Sequence, residues 1–211
     1  INFYLLYGQN TGLIEETIDE ILKPNFSQNI HYYDEGEILS NTDEFKEKIL
    51  NKSFFANDKL IIINRVSDKI LHLIKEILLK KIEDIKFILK SDILEKKSKL
   101  RSFFEKDEST ITVAYYEDNH QTLSFLANNF FKQRKIKISP QNINFIVERS
   151  KGNRISLKNE LKKISSYSHK KLTINFEEIV KLTNLAENYN ISELIDQCLA
   201  KNKKKTLNIL N

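Results

Sequence analysis

The first strand, turn and helix of the chain are the place to test for a phosphate-binding loop. The turn runs Gly8-Gln9-Asn10-Thr11-Gly12, and Leu13 and Ile14 follow it. Such a loop needs glycines for close backbone approach, a Lys that reaches the terminal phosphates and a Ser or Thr that holds magnesium. Leu13 and Ile14 can neither neutralise phosphate nor bind a metal. The sequence therefore predicts a degenerate loop.

A second group needed for nucleotide hydrolysis is missing at another position. The apolar run Leu60-Ile61-Ile62-Ile63 ends in Asn64-Arg65, where a hydrolytic site of this type needs an acidic residue. Two required groups are thus absent at two independent positions, and we predict no intrinsic ATPase activity. An active ATPase with an unusual phosphate loop is the alternative, and magnesium-dependent ATP binding at the turn would favour it.

No other catalytic or metal-binding pattern stands out. His31, His72, His120 and His169 are scattered singly, with neither i, i+4 pairing nor a Cys partner. No Gly-x-Ser-x-Gly elbow occurs in the sequence. Cys198 lies on the apolar face of a predicted helix, where we expect an inert core thiol. We therefore predict no catalytic residue, no metal ligand and no cofactor.

Two adjacent aromatic residues, Phe54 and Phe55, separate a helical pattern from the run at residues 60–63. Neighbouring residues on a helix point about 100° apart, so one helix face cannot bury both. One interpretation is that one Phe packs under a sheet while the other caps the helix. The other is an apolar wedge offered to a partner, because exposed large apolar groups tend to mark interaction surfaces.

The elements that would position these residues alternate between strand and helix in the first half of the chain. Strands are predicted at residues 3–7, 29–33, 60–63, 85–89 and 111–115, helices at residues 13–22, 41–52 and 70–78, and a polar loop at residues 34–40. The unbroken apolar run at 60–63 is typical of a strand buried on both faces. The alternation predicts an α/β fold with a mostly parallel sheet.

After Tyr116 the pattern becomes helical. Leu123, Leu126, Ala127 and Phe130 recur at i, i+3, i+4 and i+7, and Ser139-Pro140 forms an N-cap followed by Pro at the first helical position. We expect a small all-helical module, and then the beginning of a further helical module that is cut away. Since the chain lacks an initiator Met, we also expect a fragment whose ends are not the natural ones.

The composition is that of an ordinary globular protein, with 30% charged and 40% apolar residues. The lone Cys198 fits a reducing, cytoplasmic compartment, and no apolar run approaches the roughly 18 residues of a membrane span. The net charge of +5 comes mainly from Lys, which can reflect a compositional bias of the source organism. A DNA-binding module that uses Lys96, Lys97, Lys99, Arg101 and residues 203–205 is a further alternative.

Four stretches carry a family resemblance through their order and spacing. They are Tyr4-Leu5-Leu6-Tyr7-Gly8 leading to Leu13-Ile14-Glu15-Glu16, Ser53-Phe54-Phe55-Ala56 before residues 59–63, residues 98–106, and Gly152-Asn153-Arg154 followed by Leu157, Glu160-Leu161 and Lys163-Ile164. None is specific alone. Together with the degenerate loop, they make the chain resemble the delta subunit of the bacterial DNA polymerase III clamp loader over essentially its whole length.

The resemblance implies an AAA+-like architecture without a working ATPase site. It places an AAA+-like α/β domain with a degenerate P-loop at residues 1–116, a helical lid at 117–186 and the start of a truncated helical collar at 187–211. It implies no ATPase or polymerase activity of its own and no cofactor. Clamp-loader ATPases carry a nucleotide-sensing Gly-x-x-Arg in the lid, whereas Arg154 follows Gly152 by only two positions, so we interpret it as structural or surface charge.

The resemblance also gives the paired aromatics a role. In that family, delta opens the sliding clamp by inserting two consecutive apolar residues, preceded by Ser and followed by Ala, into a hydrophobic pocket. By that match Phe54 and Phe55 form the wedge, and Ser53 and Ala56 shape the turn. The family often has an aliphatic residue first, so Phe54 is a departure. The implied partners are the sliding clamp (beta subunit), the gamma/tau and delta prime subunits, and DNA indirectly through the complex, with no membrane.

Overall fold

The computed structural model describes residues 2–26, 29–50, 59–80, 82, 84–168, 173–183 and 191–210. The chain divides into two compact units. Unit 1 comprises Ile1–Asn119 together with the short segment Asn153–Ile155, and unit 2 comprises His120–Gly152 and Ser156–Asn211. Within the described ranges, no helix has the length and apolar character needed to cross a membrane.

Unit 1 is built on a five-stranded sheet in which all neighbouring strands are parallel. The strands are β1 (Phe3–Gly8), β2 (Ile30–Asp34), β3 (Lys59–Asn64), β4 (Ile85–Ser91) and β5 (Thr110–Tyr115). Their order is β2-β3-β4-β1-β5, so the first strand pairs with the last two. The predicted α/β fold with a parallel sheet is confirmed.

Both faces of this sheet are covered, as the apolar strands require. The helices of unit 1 are α1 (Thr11–Thr17), α2 (Glu35–Ser40), α3 (Thr42–Leu50), α4 (Leu71–Leu79) and α5 (Lys99–Lys106). Alternate residues of β3 point into different cores, Ile61 and Ile63 into the larger and Leu60 and Ile62 into the smaller. The larger core takes apolar residues from α2, α3, α4 and α5, and the smaller takes Ile14 from α1.

One prediction of local structure in unit 1 is wrong, and another is confirmed with different bounds. The predicted polar loop at residues 34–40 is mostly helix α2, because Asp34 and Glu37 form a capping box that satisfies the first backbone N–H groups. The helix predicted at residues 13–22 starts at Thr11 and passes into a π-helical turn at Ile18–Leu22. The first turn of α1 contains no acidic residue, and the amide side chain of Asn10 caps the helix.

Unit 2 is helical in its described residues. Its helices are α6 (His120–Gln133), α7 (Pro140–Arg149), α8 (Arg154–Tyr167, whose first two residues belong to unit 1), α9 (Phe176–Thr183), α10 (Ile191–Leu199) and α11 (Lys203–Leu210). One core joins α6, α7, α8 and α9 through residues such as Phe131, Ile146 and Leu161. The predicted cap of α7 is confirmed, since Ser139 Oγ accepts a hydrogen bond from Asn142 N at 3.2 Å.

Cys198 does not lie in a core. Its thiol is exposed on α10, and so are the side chains of Ile195 and Leu199 on the same helix. The prediction of a buried thiol is therefore wrong. It relied on helical periodicity alone, which marks an apolar stripe without showing what packs against that stripe.

Candidate functional site

The residues predicted to form the wedge, Ser53, Phe54, Phe55 and Ala56, lie outside the described residues. The described chain stops at Leu50, the last residue of α3, and resumes at Lys59, the first residue of β3. The start of β3 is fixed by two backbone hydrogen bonds, from Lys59 N to Asp84 O and from Leu60 N to Asn29 O, both 2.9 Å.

The turn tested above for phosphate binding lies between β1 and α1, and its first glycine is required by geometry. Gly8 has a φ of +135°, and a Cβ there would lie 2.1 Å from the backbone oxygen of Tyr115. Gly12 is also crowded, because a Cβ at that position would lie 2.9 Å from the Cγ1 of Ile155. These glycines permit close approach of the protein's own backbone and side chains.

Asn10 occupies the centre of the turn and is buried. Its Oδ1 accepts a hydrogen bond from Leu13 N at 3.1 Å, which caps α1. Its Nδ2 donates to Tyr116 O at 3.0 Å and to Asp118 Oδ2 at 2.9 Å. The amide therefore ties the start of α1 to the segment that follows β5.

Arg154 completes this arrangement from the segment Asn153–Ile155. Its Nε donates to Glu16 Oε2 at 2.7 Å, and its Nη1 donates to both carboxylate oxygens of Asp118 at 2.9 and 3.0 Å. The side chains of Arg154, Glu16 and Asp118 are only 13%, 18% and 7% exposed. Burial lowers the pKa of Arg154, but its bonds to the two carboxylates outweigh burial and raise that pKa overall.

We call Asn10, Glu16, Asp118 and Arg154 the α1 cluster. The guanidinium of Arg154 is engaged by two carboxylates of the chain itself. A phosphate group brought to this position would have to compete with both of them for the same donors. The cluster thus favours a structural role, and Arg154, interpreted above as structural or surface charge, is structural and mostly buried.

The end of β3 offers no acidic residue either. Asn64 Nδ2 donates to Tyr33 O at 3.4 Å, and the guanidinium of Arg65 lies 2.7 Å from Asp34 Oδ2. Arg65 adopts a φ of +56°, which turns the chain out of the strand. The two side chains are engaged with β2 and its end, so neither is aimed at the α1 turn.

A cavity of about 530 Å³ lies beside the edge strand β5. Its lining includes Tyr7, Arg101 and Thr112. The guanidinium of Arg101 lies 5.1 Å from the centre of the Tyr7 ring, and it donates to Glu105 Oε1 at 2.7 Å and to Leu94 O at 3.0 Å. Burial raises the pKa of Tyr7, while the charge of Arg101 opposes that rise.

The basic residues considered for DNA contact are spread over both units. Arg101 is tied into the cavity wall as described, and Lys97 forms an ion pair of 2.7 Å with Glu95. Lys96 and Lys99 are exposed in unit 1, and residues 203–205 are exposed on α11 in unit 2. Among the described residues, no group of three or more His, Cys, Asp or Glu side chains could hold a metal ion.

A match to a family model shows which protein family the chain belongs to. Residues 4–114, more than half of the chain, match the model described as DNA polymerase III, delta subunit. The chain belongs to this delta subunit family. The resemblance stated from the sequence is therefore confirmed. A comparison with curated proteins gives no match.

Solved structures place the delta-family chain in the AAA+-like fold. It is similar to the Bacillus subtilis DNA clamp loader delta protein, with a TM-score of 0.59 and 18% identity over 100% of this chain and 66% of that one. It is similar to the Thermotoga maritima RuvB Holliday junction branch migration motor, with a TM-score of 0.58 and 18% identity over 88% of this chain and 62% of that one. The chain thus spans about two thirds of the length of these proteins.

The α1 cluster is the part of the site that the sequence did not reveal. The sequence places Asn10 in the turn and Arg154 after Gly152, but nothing in it indicates that these two side chains meet at Asp118. The only sequence signal is an Asn at the position before a helix that lacks acidic residues in its first turn. Such an Asn predicts a cap, but not the second hydrogen bond to Asp118.

Proposed function

We propose that the chain is a non-catalytic clamp-loader subunit that binds and opens a sliding clamp through an apolar wedge. The single observation that carries this proposal is the delta-family match over residues 4–114, which includes Ser53, Phe54, Phe55 and Ala56. Phe54 and Phe55 would enter a pocket on the clamp. Burying two Phe side chains supplies on the order of 4 kcal/mol, which would offset the strain of opening one ring interface.

The α1 cluster supports the non-catalytic part of the proposal. Leu13 and Ile14 replace the phosphate-binding and magnesium-binding residues, and Glu16 and Asp118 surround the one cation. ATP would be bound by neighbouring motor subunits, the gamma/tau type, which control whether the wedge is accessible. Delta prime would be a further partner, and DNA would be contacted through the assembled complex in the cytoplasm.

The domain organisation is part of the same proposal. Residues 1–116 would be the AAA+-like domain that carries the wedge, residues 117–186 the lid, and residues 187–211 the start of the collar. The collar would join the subunits of the loader, while the first domain would meet the clamp.

The test is the double change Phe54→Ala with Phe55→Ala, assayed by titration against the organism's own sliding clamp. We expect clamp binding to weaken on the order of a thousandfold, with the thermal unfolding midpoint nearly unchanged. Phe125→Ala, which truncates an exposed Phe on α6, is the matched control and should bind normally. A large loss of stability with clamp affinity intact would instead support core packing of the two aromatics.

Two alternative functions would give different results in binding assays on the same purified chain. Magnesium-dependent ATP binding in a nucleotide titration would favour an ATPase with an unusual phosphate loop. Duplex DNA affinity that falls steeply with salt, in the absence of other subunits, would favour a DNA-binding module.

A further inference from the structure

Strand β5 forms one edge of the sheet in unit 1. Among the described residues it pairs with β1 alone, so its outer side has no strand beside it. An unpaired edge offers backbone N–H and C=O groups to another chain, and proteins commonly block such edges with Lys, Pro or a bulge. Thr110–Tyr115 contains neither Lys nor Pro, and its register with β1 runs without a break. The edge therefore remains able to pair.

The direction of the backbone groups shows which residues of β5 face outward. Tyr115 O accepts a hydrogen bond from Asn10 N at 3.3 Å, so the backbone groups of Tyr115 face the β1 side. Along a paired strand these groups alternate in direction from one residue to the next. Thr112 and Ala114 consequently direct their N–H and C=O groups away from β1. Both residues are half-buried and Val113 between them is exposed, so solvent reaches this stretch of β5.

The cavity of about 530 Å³ described above lies against the same residues. Thr110, Thr112 and Ala114 line it from β5, and Phe104 and Glu105 line it from α5. Thr112 Oγ1 is buried and has no hydrogen-bond partner among the described residues, which costs free energy until a partner is supplied. Outward backbone groups and an unsatisfied side chain thus lie together beside a cavity that can receive side chains of an added strand.

The charges around β5 indicate the chemistry of the strand that it would accept. From Glu105 to Glu117 the sequence holds four carboxylates and one Lys, although the whole chain has a net charge of +5. Glu108 lines the cavity before the strand and Glu117 follows its end, and both are exposed. Arg101 also lines the cavity, but it is already bonded to Glu105. Basic side chains on an added strand are therefore favoured over acidic ones.

We propose that the outer edge of β5 binds an extended, basic peptide segment of a partner protein, which adds to the sheet as a further strand. Main-chain hydrogen bonds to Thr112 and Ala114 supply the affinity, and Lys or Arg side chains near Glu108 and Glu117 supply the specificity. This surface lies within unit 1, and its occupant is independent of the clamp contact proposed above.

The probe is a fluorescein-labelled peptide in which Lys and Val alternate, long enough to span β5. It is titrated with the full chain and followed by fluorescence anisotropy, and we expect saturable binding. A peptide with Glu in place of each Lys should bind about tenfold more weakly or worse, because it meets carboxylates of like charge. The Lys and Val peptide methylated at every backbone nitrogen should lose as much, since it keeps its side chains but has no N–H to donate.

Thr112→Pro tests the edge in the chain itself. It removes one outward N–H, and proline is tolerated at such edge positions, so we expect a folded chain that binds the Lys and Val peptide about tenfold more weakly. Tyr32→Pro is the matched control on β2, the opposite edge strand. Asn29 O accepts a hydrogen bond from Leu60 N of β3, so by the same alternation the N–H of Tyr32 also faces outward. This variant should bind the peptide normally.

The contrary outcomes are equally definite. Absence of peptide binding, or equal binding of the N-methylated peptide, would overturn strand addition. Normal binding by a folded Thr112→Pro chain, or a loss confined to Tyr32→Pro, would overturn the assignment to β5. If the thermal unfolding curve shows that Thr112→Pro does not fold, Glu108→Lys replaces it. We expect that variant to bind about fivefold more weakly, and unchanged binding would overturn the proposal.

Discussion

The side-chain amide of Asn10 donates a 2.9 Å hydrogen bond to the carboxylate of Asp118, which lies 108 residues later in the chain. The same Asn10 caps α1, and the same Asp118 accepts two hydrogen bonds from Arg154. Three distant segments of unit 1 therefore meet at the start of α1 through polar contacts. Because each group is mostly withdrawn from water, removing one takes a buried hydrogen bond from each of its partners.

Arg154→Met should lower the free energy of unfolding of unit 1 by about 2–3 kcal/mol. The change removes the guanidinium that is ion-paired with both Glu16 and Asp118, and breaking a mostly buried ion pair is costly because the two carboxylates lose that compensation. Urea unfolding followed by circular dichroism measures the loss.

Arg65→Met is the control for this measurement. It breaks the ion pair between Arg65 and Asp34, in which the arginine side chain is exposed, so we expect a loss below about 1 kcal/mol. Equal losses in the two variants would contradict a structural role for the α1 cluster.

Gly8→Ala should prevent unit 1 from folding or cost more than about 3 kcal/mol. The φ of +135° is one that L residues rarely adopt, and the added Cβ would lie 2.1 Å from a backbone oxygen that belongs to a paired strand. The position cannot relax without disturbing the pairing of β1 with β5.

Gly36→Ala gives the matched comparison in the same unit. Gly36 lies inside α2, and a Cβ there would meet no heavy atom within 4 Å. We expect this variant to be as stable as the unaltered chain or up to about 1 kcal/mol more stable, because Ala is the better helix former. If the urea midpoints of Gly8→Ala and Gly36→Ala decrease by the same amount, crowding is not the reason why position 8 requires a glycine.

Asp68 gives unit 1 a pH-dependent contribution. Hydrogen bonds from Leu100 N and Ser98 Oγ hold the pKa of this carboxyl below its usual range, and it caps the start of α5. A depressed folded-state pKa means that the stabilisation is present above the unfolded value of about 3.9 and is lost as pH falls through the lower folded value. Asp68→Asn should therefore be less stable by about 1 kcal/mol at pH 7.

The difference between Asp68→Asn and the unaltered chain should shrink below about pH 4 and vanish at lower pH, since both side chains are then neutral. Urea unfolding at several pH values checks this. Glu108→Gln, a change at an exposed carboxylate on a turn, is measured alongside as the matched control. A constant difference across the pH range would contradict the charge-dependent cap.

Short sequence patterns correctly predicted the strands and helix ends that depend only on neighbouring residues. Leu60-Ile61-Ile62-Ile63 is buried on both faces in β3, as an uninterrupted apolar run requires. Ser139-Pro140 starts α7 as predicted, because an N-cap and a proline at the first helical position act within one turn. The strand and helix alternation was sufficient for the fold class.

Contacts between distant segments could not be predicted in the same way. Arg154 reaches Glu16 across 138 residues, and no periodicity of one sequence encodes that meeting. Gly36 and its polar neighbours look like a loop until the reciprocal cap between Asp34 and Glu37 is considered. The predicted clamp contacts at Phe54 and Phe55 remain a prediction, since their support comes from the family and not from geometry.

The strand order of unit 1 has a consequence for the chain as it is being synthesised. β1 is made first, yet its two neighbours are β4 and β5, which are the last strands to leave the ribosome. Until residues 85–115 have emerged, the nascent Phe3-Tyr4-Leu5-Leu6-Tyr7 has no native strand to pair with. The β1 segment therefore stays without its two partner strands while the middle of unit 1 is made, and the sheet closes around it only at the end of translation of the unit.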